Sequence, residues 1–140
     1  LIGLTKVAEK VVADIFSKIP PKLLAEYIEN GRDPILDAIY TYPVEAMQMK
    51  QLAKLFSKII ASITAGQVLD YLRKQNPLAA GVIMNHPDGF EWLEKVLGNA
   101  KEFIACEDVL CSYCMNPTPL YPPWEKEWKC IFCGATYQRS

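Results

Sequence analysis

Leu110-Cys111-Ser112-Tyr113-Cys114 and Trp128-Lys129-Cys130-Ile131-Phe132-Cys133-Gly134 are the two stretches whose reading divides this chain of 140 residues. Each contains a Cys-x2-Cys turn, and fifteen residues separate the two pairs. Such a turn brings two thiolates onto one ion as a knuckle, and two knuckles complete a tetrahedral site of four sulfurs, the ligand set that suits Zn2+. The intervening residues suffice to run out, turn and return. Gly134 follows the second pair, where a knuckle calls for positive φ. The composition changes after Cys106: helical periodicity stops, and prolines at 117, 119, 122 and 123 stand among Tyr113, Tyr121, Trp124, Trp128, Phe132 and Tyr137. Short β-hairpins fit this pattern better than a helix.

These two pieces resemble the knuckles of a zinc ribbon, in which an aromatic residue before the second pair and a glycine after it are usual. The resemblance covers about a quarter of the chain and rests on these two knuckles alone. It implies a small β-fold and one structural zinc held by Cys111, Cys114, Cys130 and Cys133. It specifies no function, since zinc ribbons occur in transcription, replication and translation machinery and in adaptor proteins. Four thiolates leave no open position for water or substrate, so the metal is expected to hold structure and not to activate a nucleophile. Three other readings share the cysteines. Disulfides suit a secreted scaffold, against which stand the paired spacing and an opening stretch, Leu1-Ile2-Gly3-Leu4, broken by Lys6, Glu9 and Lys10 before it makes a signal-peptide core. A redox Cys-x2-Cys needs a βαβ context. An iron–sulfur centre uses the same ligands. Cys106 is the spare, expected as a small core residue or free thiol near the junction, or else as a replacement for one of the four.

Upstream, residues 1–105 read as helical. Leu4, Val7, Val11, Val12, Ile15 and Ile19 share one helical face, ended by Pro20-Pro21. A short helix from about Lys22 to Glu29 stops at Asn30-Gly31. Asp33-Pro34 and Asn76-Pro77 pair an N-cap residue with proline at the first helical position. Leu52, Leu55, Phe56, Ile59, Ile60 and Ile63 form the strongest apolar stripe. Thr64-x-x-Gln67 has the form of a capping box. After the turn His86-Pro87-Asp88-Gly89, Asp88 is expected to cap a helix carrying Phe90, Trp92, Leu93, Val96 and Leu97, with Gly98 as its stop. The expected fold is mainly α: an irregular bundle of about seven helices over 1–105, joined to a small C-terminal β zinc ribbon over 106–140. The chain opens on Leu1 instead of Met, which fits a fragment or a processed chain.

The formal net charge is −1, and each side of residue 106 is nearly balanced in sign, so neither part is a basic nucleic-acid module by charge. No run approaches the ~20 apolar residues of a membrane span. His86, the sole histidine, stands before proline in a turn and is expected to be solvent-facing or capping, not catalytic. No glycine-rich phosphate loop is present around Gly81 or Gly89. Lys50, Lys54 and Lys58, at i, i+4 and i+8, fall opposite the Leu52–Ile63 stripe and are expected on the surface. A solvated face is the plain reading; a track of phosphate contacts, extended by Arg73 and Lys74, is the sharper one. The stiff loop Pro117–Trp124 either packs Tyr121 and Trp124 inward or offers them to a partner.

These features add up to the expectation of a non-enzymatic zinc-binding adaptor or accessory subunit of an information-processing complex. It would act through a protein partner in a reducing, cytoplasmic compartment, with weak nucleic-acid contact through Lys50, Lys54 and Lys58 and a partner surface at Tyr121 and Trp124. That expectation rests on fold-level analogy. The alternative is a structural or oligomeric interaction protein, such as a viral or scaffold component, with no nucleic-acid role.

Overall fold

Proline, placed where a helix can start on it, sets much of the element order. In the computed structural model, which describes residues 2–139 without the side chains of 2–5, 7, 8 and 11, eight helices precede four short strands. The helices are α1 (Ile2–Ser17), α2 (Pro21–Glu29), α3 (Pro34–Thr41), α4 (Pro43–Lys54), α5 (Ser57–Ala61), α6 (Ala65–Gln75), α7 (Pro77–Asn85) and α8 (Gly89–Ala105). Four of them begin on proline, whose missing N–H costs nothing in the first turn. The strands are β1 (Asp108–Leu110), β2 (Pro117–Pro119), β3 (Glu127–Lys129) and β4 (Thr136–Gln138). The chain is mainly α, as its periodicity indicates. Of the face expected on α1, Leu4, Val7 and Val11 lie outside the described side chains.

The chain forms two compact units, each discontinuous in sequence. The first comprises Leu1–Pro34 and Lys58–Gly98, the second Ile35–Ser57 and Asn99–Ser140. The change of composition at Cys106 marks the end of α8, whereas the packing units are cut within α8, after the first residue of α3 and after the first residue of α5.

In the first unit α1 packs on α6, α6 on α7, and α2 on α7. The apolar faces of these helices and of the first part of α8 supply the core, with Phe16, Leu24, Val68, Leu72, Ile83, Leu93 and Val96 at most 2% exposed. Trp92 sets its ring edge-on to Phe16, and its indole N–H donates to the Arg32 carbonyl at 2.8 Å. The Thr64–Gln67 capping box forms in both directions. Asn76 accepts from the Ala79 amide and donates to the Ser17 carbonyl, tying the start of α7 to the end of α1. The His86 ring accepts from the Asp88 amide at 3.1 Å, a local turn role. Gly89 has a steric reason: a Cβ there would lie 1.7 Å from the Ile83 carbonyl oxygen. Gly98 does not end α8, which runs on to Ala105 because its apolar positions continue to Phe103. An exposed helical glycine costs about 1 kcal/mol against alanine, too little to break a helix held by packing.

In the second unit Ile39, Met47, Phe103, Tyr121 and Ile131 form the core, flanked by half-buried Ile35, Leu36, Tyr40, Ala46, Cys106 and Phe132. The strands make two antiparallel hairpins, β1 with β2 (Val109 opposite Thr118) and β3 with β4 (Trp128 opposite Tyr137). Buried Thr118 joins them, its hydroxyl accepting from the Ile131 amide at 3.2 Å.

The stripe expected from Leu52 to Ile63 is not one helix face. The chain tightens into i→i+3 bonds at Leu55 and Phe56, separating α4 from α5. Leu52, Leu55 and Phe56 are exposed at 62%, 76% and 43%, while Ile63 is buried. On α4 the buried positions are Met47 and Lys50, so this helix turns its lysine inward and its leucine outward.

Candidate metal centre

A Cys-x2-Cys turn converges only if its carbonyls and amides close locally, and both turns do so in the same way. In the first, the Cys111 amide donates to Asn116 O and the Met115 amide to Cys111 O. In the second, the Cys130 amide donates to Ala135 O and the Gly134 amide to Cys130 O. Each turn ends on a residue with positive φ: Met115 at 62° and Gly134 at 80°. The glycine was legible in the sequence. The methionine at the matching position carries no residue-type signal of its own, and only the equal spacing of the two pairs points to it.

The hairpins bring all four sulfurs together, within 4.8 Å of one another. Cys111 Sγ lies 3.6 Å from Cys133 Sγ, and Cys114 Sγ lies 3.6 Å from Cys130 Sγ. A tetrahedron with Zn–S bonds of about 2.3 Å has edges of about 3.8 Å, so these separations fit a four-thiolate metal site. They are far beyond the ~2 Å of a disulfide, and all five cysteines are free thiols. Cys111 and Cys130 are buried, Cys114 is half-buried and Cys133 is exposed.

The backbone prepares the inner sulfurs to carry charge. The Cys111 thiol is lowered to about 6, chiefly by the Cys114 amide and then by the Tyr137 hydroxyl, with burial opposing. At Cys130 burial acts upward, but the amides of Cys133 and Phe132 outweigh it and the thiol falls below its ordinary value. Cys133 goes the other way, to about 11: the Ala135 amide favours its thiolate, but burial and the three neighbouring sulfurs outweigh that. Four sulfurs this close ionise together only around a cation. The donor set therefore fits a bound metal.

Cys106 is engaged elsewhere. Its thiol donates to the Phe103 carbonyl and accepts from Lys50, while burial pushes its pKa up against the opposing ammonium. Lys50 is fully buried. Its ammonium donates to Cys106 O at 2.8 Å, to Cys106 Sγ at 3.2 Å and to Asp108 Oδ1, and lies 5.4 Å from the Phe103 ring centre. All three protons are thus placed, and α4 is pinned to the end of α8 and to β1. Lys54 reaches the other oxygen of Asp108 at 3.5 Å, and Lys58 is exposed in α5, beyond the break. The expected surface row of Lys50, Lys54 and Lys58 does not form, because Lys50 is consumed by an internal ion pair.

The aromatic loop divides between its two expected roles. Tyr121 is 1% exposed, packed edge-on to Phe103, and its hydroxyl donates to Asn99 O at 2.9 Å. It is a core residue and not a contact surface. Trp124 remains 53% exposed, resting edge-on against Tyr121. Arg139 holds the loop from β4's end, donating to the carbonyls of Leu120 and Pro122. Among the described residues no helix is long and apolar enough to cross a membrane. The chain matches no protein-family model, no curated protein and no solved structure.

Proposed function

We propose that the second unit is a zinc ribbon built onto helices α3 and α4, that its metal is one structural Zn2+, and that the chain works without catalysis as a protein-binding adaptor or accessory subunit. The observation carrying this reading is the pairing of a closed four-sulfur site with exposed apolar side chains in the same unit: Leu52, Leu55, Tyr113, Met115 and Trp124 are each more than half exposed. Four thiolates saturate zinc, so the metal supplies rigidity and no open coordination position. Large apolar side chains in solvent mark a contact surface where they are contiguous, as the sequence neighbours Tyr113 and Met115, and Leu52 and Leu55 one turn apart, allow. Association with transcription, replication or translation machinery rests on the ribbon analogy. Direct nucleic-acid contact is weakened by the burial of Lys50, which removes one phosphate contact from the only lysine track the sequence offered.

The test has two arms. Elemental analysis of the purified chain returns one zinc and the solution is colourless; visible absorbance shows an iron–sulfur centre and refutes the metal assignment. Partners recovered from native extract survive nuclease treatment, and Trp124→Ala weakens their recovery at unchanged melting temperature. Recovery that disappears with nuclease, or tight salt-sensitive binding of DNA or RNA by the isolated chain, overturns the protein-adaptor reading.

A further inference from the structure

The two edges of the sulfur cluster differ. Cys133 faces solvent, whereas Cys111 is covered by the side chain of Tyr137. The Tyr137 hydroxyl oxygen lies 3.1 Å from Cys111 Sγ, 3.1 Å from the Ser112 amide nitrogen and 2.9 Å from Ser112 Oγ. The direction of these bonds follows from what each partner is able to do. An amide N–H only donates, so the tyrosine oxygen accepts from Ser112. A metal-bound thiolate only accepts, so the tyrosine proton points to Cys111. The Ser112 hydroxyl, free to rotate, donates to the same oxygen. The ring is held in place by stacking on Trp128, at 4.3 Å between centres and 14° between planes, across the β3–β4 register. One hairpin therefore delivers a hydroxyl to a ligand of the other.

From this geometry we infer that Tyr137 is a positioning residue of the metal centre: its hydroxyl donates to the Cys111 thiolate, fixes that ligand's orientation, and locks the first knuckle to the second hairpin. The inference rests on the metal reading above and adds a residue outside the four ligands. A hydrogen bond to a thiolate withdraws electron density from sulfur, and outer partners of this kind typically contribute 10–100-fold to metal affinity. The aromatic body of Tyr137 has a separate task, the stack on Trp128, which phenylalanine keeps.

The experiment uses the full chain with Co2+ as a spectroscopic probe. Wild type is expected to show the intense sulfur-to-cobalt charge-transfer absorption of a tetrahedral four-thiolate site. Tyr137→Phe is expected to bind Co2+ and Zn2+ about 10–100-fold more weakly in chelator competition. Its charge-transfer band should move to lower energy, because the sulfur electrons are no longer stabilised by the donated proton. Equal affinity and an unmoved band in Tyr137→Phe overturn the inference while leaving the metal site standing. Absence of any thiolate–cobalt absorption in wild type removes the metal reading itself, and the inference with it. Should Tyr137→Phe lose its fold by circular dichroism, 3-fluorotyrosine at position 137 carries the test. Its hydroxyl is a stronger donor in nearly the same shape, so the band should move to higher energy, and an unmoved band refutes the role.

Discussion

The two units are stabilised by different means. The first buries aliphatic and aromatic side chains from α1, α2, α6, α7 and α8, and side-chain caps at Thr64 and Asn76 close the starts of α6 and α7. The second has a smaller apolar cluster around Met47, Phe103 and Tyr121, supplemented by a buried ammonium, a buried threonine that bridges two hairpins, and four clustered thiols. Strands of three residues cannot stand by themselves. Where area is scarce, covalent or ionic staples take over, as in small domains generally. With the proposed metal bound, the second unit is expected to depend on that ion and the first to be independent of it.

The largest effect should come from removing a ligand. Cys130→Ser is expected to unfold the second unit, and the loss should include the helical signal of α3 and α4, which share a core with Ile131. A circular dichroism change confined to the strands would separate those helices from the ribbon and break the comparison.

Next in size is the buried lysine. Lys50→Ala leaves Asp108 Oδ1 and the Cys106 carbonyl without their donor, Lys54 remaining on Oδ2 alone, and breaking a buried ion pair typically costs about 3–5 kcal/mol. Lys50→Met fills the same space and should cost less. Equal denaturation midpoints for wild type and Lys50→Ala would return this residue to the surface role its sequence position suggests.

A substitution in the first unit sharpens the contrast. Gly89→Ala forces a Cβ against the Ile83 carbonyl, and such overpacking costs about 1–3 kcal/mol. Metal content should be unchanged. Loss of metal in this variant would show that the units are not energetically distinct.

The smallest effect compares the two knuckles. Met115 holds the left-handed conformation that Gly134 adopts freely. That conformation costs a residue with a Cβ about 1–2 kcal/mol. Part of this is offset by the extra freedom glycine gives the unfolded chain, about 0.4–1 kcal/mol. Met115→Gly should thus stabilise the metal-bound unit by under about 1.5 kcal/mol, read as a rise in melting temperature.

What the sequence disclosed follows from how local each signal is. The four cysteines, the capping box at Thr64 and the proline starts are short-range patterns, and each appears where the pattern put it. Lys50 is illegible locally, because a lysine opposite a leucine stripe is assigned to solvent and its partner Asp108 lies 58 residues away. For the same reason periodicity assigns Leu52 and Leu55 to the core, whereas both are exposed. The role of Tyr137 is not legible in the sequence, because its contact to Cys111 depends on the register of one hairpin and its placement beside the other. No spacing rule encodes either. Tyr121 and Trp124 looked alike as aromatic neighbours of prolines, and only packing separates the buried one from the exposed one.

Hydrogen exchange on the metal-stripped chain tests the central claim most directly. After chelation at neutral pH, amides of α6, α7 and the first turns of α8 are expected to keep their protection. Those of α3, α4 and the four strands should exchange at unfolded rates, and protection should return on adding one equivalent of Zn2+. Protection that persists in the strands without metal, or that vanishes from α6 and α7 together with them, would contradict the account.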